Sequence, residues 1–200
     1  MKSGERRAAI VQCAIQLFAD KGFRGTTTRE LAAAAGVTEP VLYQHFPSKK
    51  DLYSAIIEAK SVDVSSRGAD LRESSSDVEF FTALANLILL RYEEDPQLSR
   101  LLFFSALEQH ELSELFFERV YEGFYKLVAS YIRRRIREGG FRKVNPEIAA
   151  RSLLGMVSYH GQMALLFPGR FNLKKRRRLV VETAAIFLGG ICAGPETSGS

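Results

Sequence analysis

The segment Thr26–Tyr53, TTTRELAAAAGVTEPVLYQHFPSKKDLY, constrains the fold more tightly than any other part of the chain. It contains two short helical stretches, each with its own start signal and a stop between them. Thr27 and Glu30 have the three-residue spacing of a capping box, in which each side chain satisfies a backbone N–H at a helix start. An alanine-rich helix over Thr28 to Ala35 follows. Gly36 then supplies a turn that tolerates positive φ at no steric cost. Thr38 can cap the next helix, and Pro40 is tolerated in a first turn because its missing N–H needs no partner there. Phe46-Pro47 stops that helix. Ser48, with Asp51 three residues on, starts another. Two helices joined by a glycine turn predict a helix-turn-helix, which sets one helix into the major groove of DNA. Such a pair needs small residues where its helices meet, and Ala32 and Ala35 provide them. Leu31, Val37 and Leu42 are spaced to bind the pair to a preceding helix. Ala8, Val11, Ala14, Ile15 and Phe18 recur at helical steps and form that earlier helix, which ends at Lys21-Gly22-Phe23.

The remaining chain also reads as helical. From Leu52 a helix runs into the low sixties, and a serine-rich loop follows within 61–76. Further helices are expected over Asp77 to Glu94, Gln97 to Gln109, Leu112 to Glu138, Asn145 to Phe167 and Leu173 to Ala193. No alternating strand pattern is present. The fold class is therefore all-α, with about nine helices. An N-terminal three-helix helix-turn-helix domain spans 1–47, a helical body spans 48–194, and a disordered tail spans 195–200.

Composition narrows the function. The chain has 200 residues, an apolar fraction of 46% and a formal charge of +5. These values fit a globular protein and permit attraction to phosphate. Charged residues interrupt every apolar run, so neither a membrane span nor a signal peptide is expected, and the chain reads as cytoplasmic. The two cysteines are far apart and no Cys/His set has metal spacing. His45, His110 and His160 are scattered. Neither a nucleophile–base arrangement nor a phosphate loop appears, so no cofactor is expected and an enzyme is disfavoured. Glu108, His110 and Glu111 could gather a metal, but a mixed-charge helix end is the simpler reading.

At residues 6–53 the chain resembles the N-terminal domain of TetR-family transcriptional regulators. LFADKGFRGTTTRELAAAAGVTEPVLYQHFPSKKDLY matches that family's pattern over nearly its whole length. The resemblance makes the helix around Glu39 to Phe46 the recognition helix and gives the protein double-stranded operator DNA as its partner. Thr38, Glu39, Val41 and Gln44 then become candidates to face base edges. Gln44 could pair with adenine; Glu39 either accepts from cytosine or turns to solvent. Tyr43 and His45 match positions that touch phosphate in the family. Lys49 is expected to do the same, and Thr27, Thr28 and Arg29 to grip phosphate from the helix before.

The resemblance also implies a ligand-binding and dimerisation body. Fourteen Phe crowd the chain, and the central helices would enclose a small apolar or aromatic effector. Phe104, Phe117, Tyr121, Phe124, Tyr125, Met156 and His160 are the candidate lining, with Gln162 as a further polar group. The last two helices carry apolar stripes with small residues, which either face the chain's own core or pair subunits into a four-helix bundle. On the resemblance, Leu153, Val157, Val180, Thr183, Ala184, Phe187, Leu188 and Ile191 form the interface of a homodimer. A ligand-responsive repressor on a palindromic operator is the leading expectation. An architectural DNA binder without a sensor is the alternative, and a helical enzyme is a more distant one. Two basic runs, Arg133 to Arg137 and Lys174 to Arg178, read as solvated helix ends, with an anion or DNA contact as the other reading of the second.

Overall fold

The structure is a computed structural model, and it describes residues 3–58, 71, 76–108, 114–115 and 117–192. The expected serine-rich loop, the tail, His110 and Glu111 lie wholly or mainly outside these residues. Nine α-helices are defined within them. They are α1 (Ser3–Lys21), α2 (Thr28–Ala34), α3 (Glu39–His45), α4 (49–58), α5 (Asp77–Glu94), α6 (Pro96–Leu107), α7 (Glu122–Arg137), α8 (Pro146–Leu166) and α9 (Arg176–Ile191). The fold is all-α. Among the described residues the only strand-like pairing is an isolated bridge between Phe141 and Cys192.

Two compact units make up the chain. The first contains Met1–Val64 and Asp95–Val120; the second contains Ser65–Glu94 and Tyr121–Ser200. The boundary expected at residue 47 divides the chain by role, whereas packing also places α4 and α6 with the helix-turn-helix. The reason is apolar burial. Ile10, Ala14, Phe18, Leu31, Leu42 and Phe46 share one core with Leu52, Tyr53, Ile56, Leu98 and Leu101. Within it the Tyr53 hydroxyl, pushed up to about 12 by burial, meets the Ser105 hydroxyl.

The second unit packs α5 against α8 and α9, and α7 against α8. Its centre is aromatic. Phe81 is fully buried, with the rings of Phe80, Tyr131, Phe141 and Phe187 around it. At the rim Asp77 accepts from Arg135 Nε at 2.8 Å and Nη2 at 3.0 Å, and from the Tyr131 hydroxyl at 2.8 Å. This ties the start of α5 to α7.

Two expectations need correction here. The single helix expected over Leu112 to Glu138 is interrupted. Phe117–Tyr121 forms a π-helical turn, and regular α-helix resumes at Glu122. More consequential is the face presented by α8 and α9. Leu153, Val157, Val180, Thr183, Ala184, Phe187, Leu188 and Ile191 are all buried inside the protomer, and all but Thr183 belong to the apolar core of the second unit. They therefore face the chain's own core, the first of the two readings of these stripes. The opposite faces are exposed. On α8 these are Ile148, Ser152, Gly155 and Tyr159; on α9 they are Val181, Ala185, Ile186 and Gly189. Both helices are apolar on two sides, so α5 takes one side and the other is left open.

Candidate nucleic-acid interface

The first unit builds its exposed surface from the turn after α1. Gly22 takes φ +74° and its N–H donates to the Phe18 carbonyl at 3.0 Å, which closes α1. Thr27 then caps α2 as the spacing predicts. The Glu30 N–H donates to Thr27 Oγ1 at 3.2 Å, and the Thr27 N–H donates to the Glu30 carboxylate at 2.9 Å. Lys21 adds an ion pair to Glu30 at 2.6 Å. The Lys21 hydrogen bond first, and the Thr27 N–H and hydroxyl next, hold Glu30 at about 2, below its ordinary 4.5. A carboxyl depressed on folding stabilises the fold above its unfolded value and stops doing so as pH falls through the folded one. The α2 cap is therefore expected to loosen as pH falls from about 4.5 to about 2. Faster exchange of the Glu30 and Leu31 amides in that window would show it, and Glu30→Gln should abolish the pH dependence.

At the other end of α2, Gly36 has φ +64°. Its N–H donates to the Ala33 carbonyl at 3.1 Å, and the Val37 N–H donates to the Ala32 carbonyl at 2.9 Å. This is the glycine-centred helix stop that the sequence implies. The chain turns into α3 with Pro40 in its first turn. Thr38 occupies the N-cap, but its side chain makes no capping hydrogen bond, so its hydroxyl remains at the surface.

Helix α3 buries Leu42 and, just beyond its end, Phe46. The residues between them face outward: Tyr43 and Gln44 are exposed and His45 is partly so, as are Glu39 and Val41. Arg29 and Thr27 are exposed on α2 and its cap. A short polar chain joins the two helices. The Tyr43 hydroxyl donates to Thr28 Oγ1 at 3.4 Å, and the Thr28 hydroxyl donates to Glu39 Oε2 at 2.9 Å. Glu39 is thus drawn towards α2. Its carboxylate also fixes the side of α2 on which Tyr43 and Thr28 present their oxygens.

Lys49 is arranged differently from an outward-facing cation. Its ammonium donates to the carbonyls of Phe23 and Thr26, at 2.7 Å each, and lies 4.3 Å from the centre of the Phe23 ring. Burial lowers its ionisation from the ordinary lysine value. Its two carbonyl bonds stitch α4 to the 22–26 turn. The sequence shows a lysine near a helix start, but the carbonyls it reaches lie more than twenty residues away. One further cation was not singled out from the sequence. Arg7 is exposed near the start of α1, with its guanidinium 4.7 Å from the Phe46 ring, which brings it beside the end of α3.

The candidate effector residues divide between the units. Phe104 and Phe117 belong to the first; Tyr121, Phe124, Tyr125, Met156 and His160 belong to the second. Phe117 and Tyr121 are exposed, while Phe124, Tyr125, Met156 and His160 are half-buried. The Tyr92 phenol, raised by burial, bonds with the side chains of Gln162 and Ser158. Its ring lies against Gly161, where an added Cβ would come within 2.2 Å of it. Tyr92 and Ser158 carry no sequence signal, because their pairing is made across helices. Among the described residues no group of three His, Cys, Asp or Glu could hold a metal, and no helix is long and apolar enough to cross a membrane.

Comparison with known proteins agrees with this architecture. Residues 10–56 match the family model described as bacterial regulatory proteins, tetR family, and residues 81–190 match the C-terminal domain of AefR-like transcriptional repressors. The nucleoid occlusion factor SlmA of Photobacterium profundum is 32% identical over 163 residues, which cover 78% of this chain and 82% of that protein. Among solved structures, the fatty acid degradation regulator FadR from Bacillus halodurans superposes with a TM-score of 0.78 at 20% identity, covering 95% of this chain and 98% of that one. A transcriptional regulator from Saccharomonospora viridis in complex with choline gives a TM-score of 0.75 at 19% identity, covering 96% and 100%. With family models spanning both its helix-turn-helix and its helical body, the chain belongs to the TetR family of DNA-binding transcriptional regulators.

Proposed function

We propose that the protein is a ligand-responsive repressor that binds a two-fold symmetric operator as a homodimer. The observation that carries this is the division of α3 into a buried face, Leu42 with Phe46 behind it, and an outward face of Tyr43, Gln44 and Thr38. A helix held by its apolar side with amide and hydroxyl groups outward is equipped to read base edges. Gln44 is the reader in this scheme, with Thr38, Val41 and Glu39 beside it. Tyr43, Thr28, Thr27, Arg29 and His45 contact phosphate. Lys49 contributes by holding the turn.

One such helix reads a single half-site. Helix-turn-helix proteins usually present two, spaced by one DNA turn of about 34 Å, through a dimer. The exposed faces of α8 and α9 supply a surface for it. Ile148 and Tyr159 are 64% and 52% exposed, and Val181 and Ile186 are 54% and 67% exposed. Gly155, Ala185 and Gly189 lie between them and permit close approach. Two helices from each subunit then form a four-helix bundle.

The sensing role rests on the second unit. Phe124, Tyr125 and Met156 offer an apolar lining, while Gln162, His160 and Tyr92 offer polar groups, the mixture typical of small-molecule sites. The effector in this scheme is apolar or aromatic with one polar end. The choline complex in a regulator of the same fold supports a small-molecule ligand, and the AefR-like model supports repression. The effector would lower operator affinity by its own preference between the two states of the dimer, and by no more.

The test is selection of duplexes from a random pool by the full-length protein, followed by binding measured against salt. Enrichment of an inverted repeat supports the reading; no enrichment over random DNA favours an architectural binder. Tyr43→Ala is expected to weaken binding by about tenfold on all sequences alike and to shrink the salt slope, because a phosphate contact carries no base information. Unchanged affinity would remove Tyr43 from the interface.

A further inference from the structure

We propose that Glu108, just past the end of α6 and outside the helix-turn-helix, is a positioning residue for DNA binding that fixes the 22–27 turn and so sets Thr27, Thr28 and Arg29 against phosphate. This rests on the reading that those three residues grip DNA.

The turn has to deliver Thr27 at one defined angle, because Thr27 starts α2. Several of its backbone groups already have partners, among them the Gly22 N–H on Phe18 and the Thr26 N–H on Phe23. The Thr26 hydroxyl donates to the Gly22 carbonyl at 2.8 Å, and Lys49 occupies the carbonyls of Phe23 and Thr26. The Arg24 N–H points the other way and donates to Glu108 Oε2 at 3.4 Å. Glu108 also closes over Gly22. A Cβ at Gly22 would lie 2.5 Å from Glu108 Oε1, so the carboxylate and the turn backbone are in close contact. Any side chain at 22 would displace this carboxylate, and the φ of +74° favours glycine there independently.

The electrostatics match this geometry. Glu108 is the C-cap of α6, the negative end of the helix dipole, where a carboxylate is disfavoured. Lys49 is the cation that acts on the same turn. Its ammonium is partly withdrawn from water, which opposes its charge, while the Glu108 carboxylate favours that charge. Lys49 bonds the Phe23 and Thr26 carbonyls and Glu108 the Arg24 N–H, so the two hold different backbone groups of one turn. Glu108 is itself on a fixed support. Leu98 and Leu101 of α6 are buried in the core of the first unit, Ser105 meets Tyr53, and Arg100 Nε donates to the Ala19 carbonyl at 3.4 Å.

The experiment uses the full-length chain, Glu108→Ala, Glu108→Gln and Lys49→Met, with a duplex selected by the wild-type protein from a random pool. Glu108→Ala should lower affinity by about fivefold, the scale of coupling through residues that touch no ligand. It should reduce the salt slope, leave the melting temperature near wild type, and shift and deprotect the Arg24 amide. Glu108→Gln, which keeps an acceptor but no charge, should lose less. The losses from Glu108→Ala and Lys49→Met should fall short of additive in the double variant, as for groups that hold one turn. Wild-type affinity and salt slope in a folded Glu108→Ala overturn the proposal, as does an affinity loss that only tracks a lowered melting temperature. If Glu108→Ala does not fold, Glu108→Ser, whose short side chain cannot reach the Arg24 N–H, takes its place, and wild-type affinity and salt slope in that variant overturn the proposal equally. Absence of any DNA binding by the wild type would instead remove the reading beneath it.

Discussion

Val181→Asp is expected to convert the protein to monomers and to cost about 10²–10⁴ in operator affinity, the factor by which linked pairs of sites exceed single ones. Val181 is more than half exposed in the protomer, so the substitution removes nothing from the core. Its effect should fall on association alone. Across a two-fold axis each new carboxylate faces an apolar surface, or its own symmetry copy, and loses water without gaining a partner. Ala185→Glu, one turn further along the same face, should act alike. Sedimentation gives the oligomeric state, and binding to a single half-site gives the intrinsic affinity, which should be unchanged. A dimer that survives both substitutions would place the subunit contact elsewhere on the protein.

That prediction concerns the face opposite to the one the sequence suggested, and the reason is physical. Periodicity identifies apolar faces on a helix but does not say which neighbour covers each. On α9, Val180, Ala184, Phe187 and Ile191 form one stripe and Val181, Ala185 and Gly189 form another. The first has larger side chains, so it reads as the stronger association surface. In the fold those larger side chains fill the space against α5, because a core needs volume, and the small residues are left outside where a second helix can approach. Size, combined with knowledge of a neighbour, would have separated the two stripes; size alone does not.

The helix-turn-helix was far more legible, because its signals are local. Thr27 and Glu30 meet over three residues, and Gly36 and Val37 close α2 with bonds to Ala33 and Ala32. Such contacts are dictated by nearby residue types. Lys49 marks the limit of that legibility. Its residue type and its place near a helix start suit an anion, yet its partners are the carbonyls of Phe23 and Thr26, brought there only once α1 and α4 pack. Glu108 is further still from any local signal, and its contact with Arg24 joins residues 84 positions apart. The π-helical turn at Phe117–Tyr121 was likewise invisible to a pattern that assumes one helical period throughout.

Phe81→Ala should cost about 3–5 kcal/mol of stability, the range for removing a buried aromatic ring from a packed core. Phe81 has no exposed surface, and four rings lie within 6.2 Å of its own, centre to centre: Phe80, Tyr131, Phe141 and Phe187. They come from α5, α7, the α7–α8 connection and α9, so each would lose a contact that no other residue replaces. For a chain of 200 residues the melting temperature should fall by roughly 6–20 °C. Val181→Asp, on the outer face of α9, should leave the protomer core intact, and any fall in its melting temperature should depend on protein concentration as dissociation requires. The pair therefore separates the two faces of one helix. A large, concentration-independent loss from Phe81→Ala marks the inner face as the fold's own. A loss below about 1 kcal/mol would mean that the surrounding rings collapse into the gap, and that burial alone overstates how firmly this core is packed.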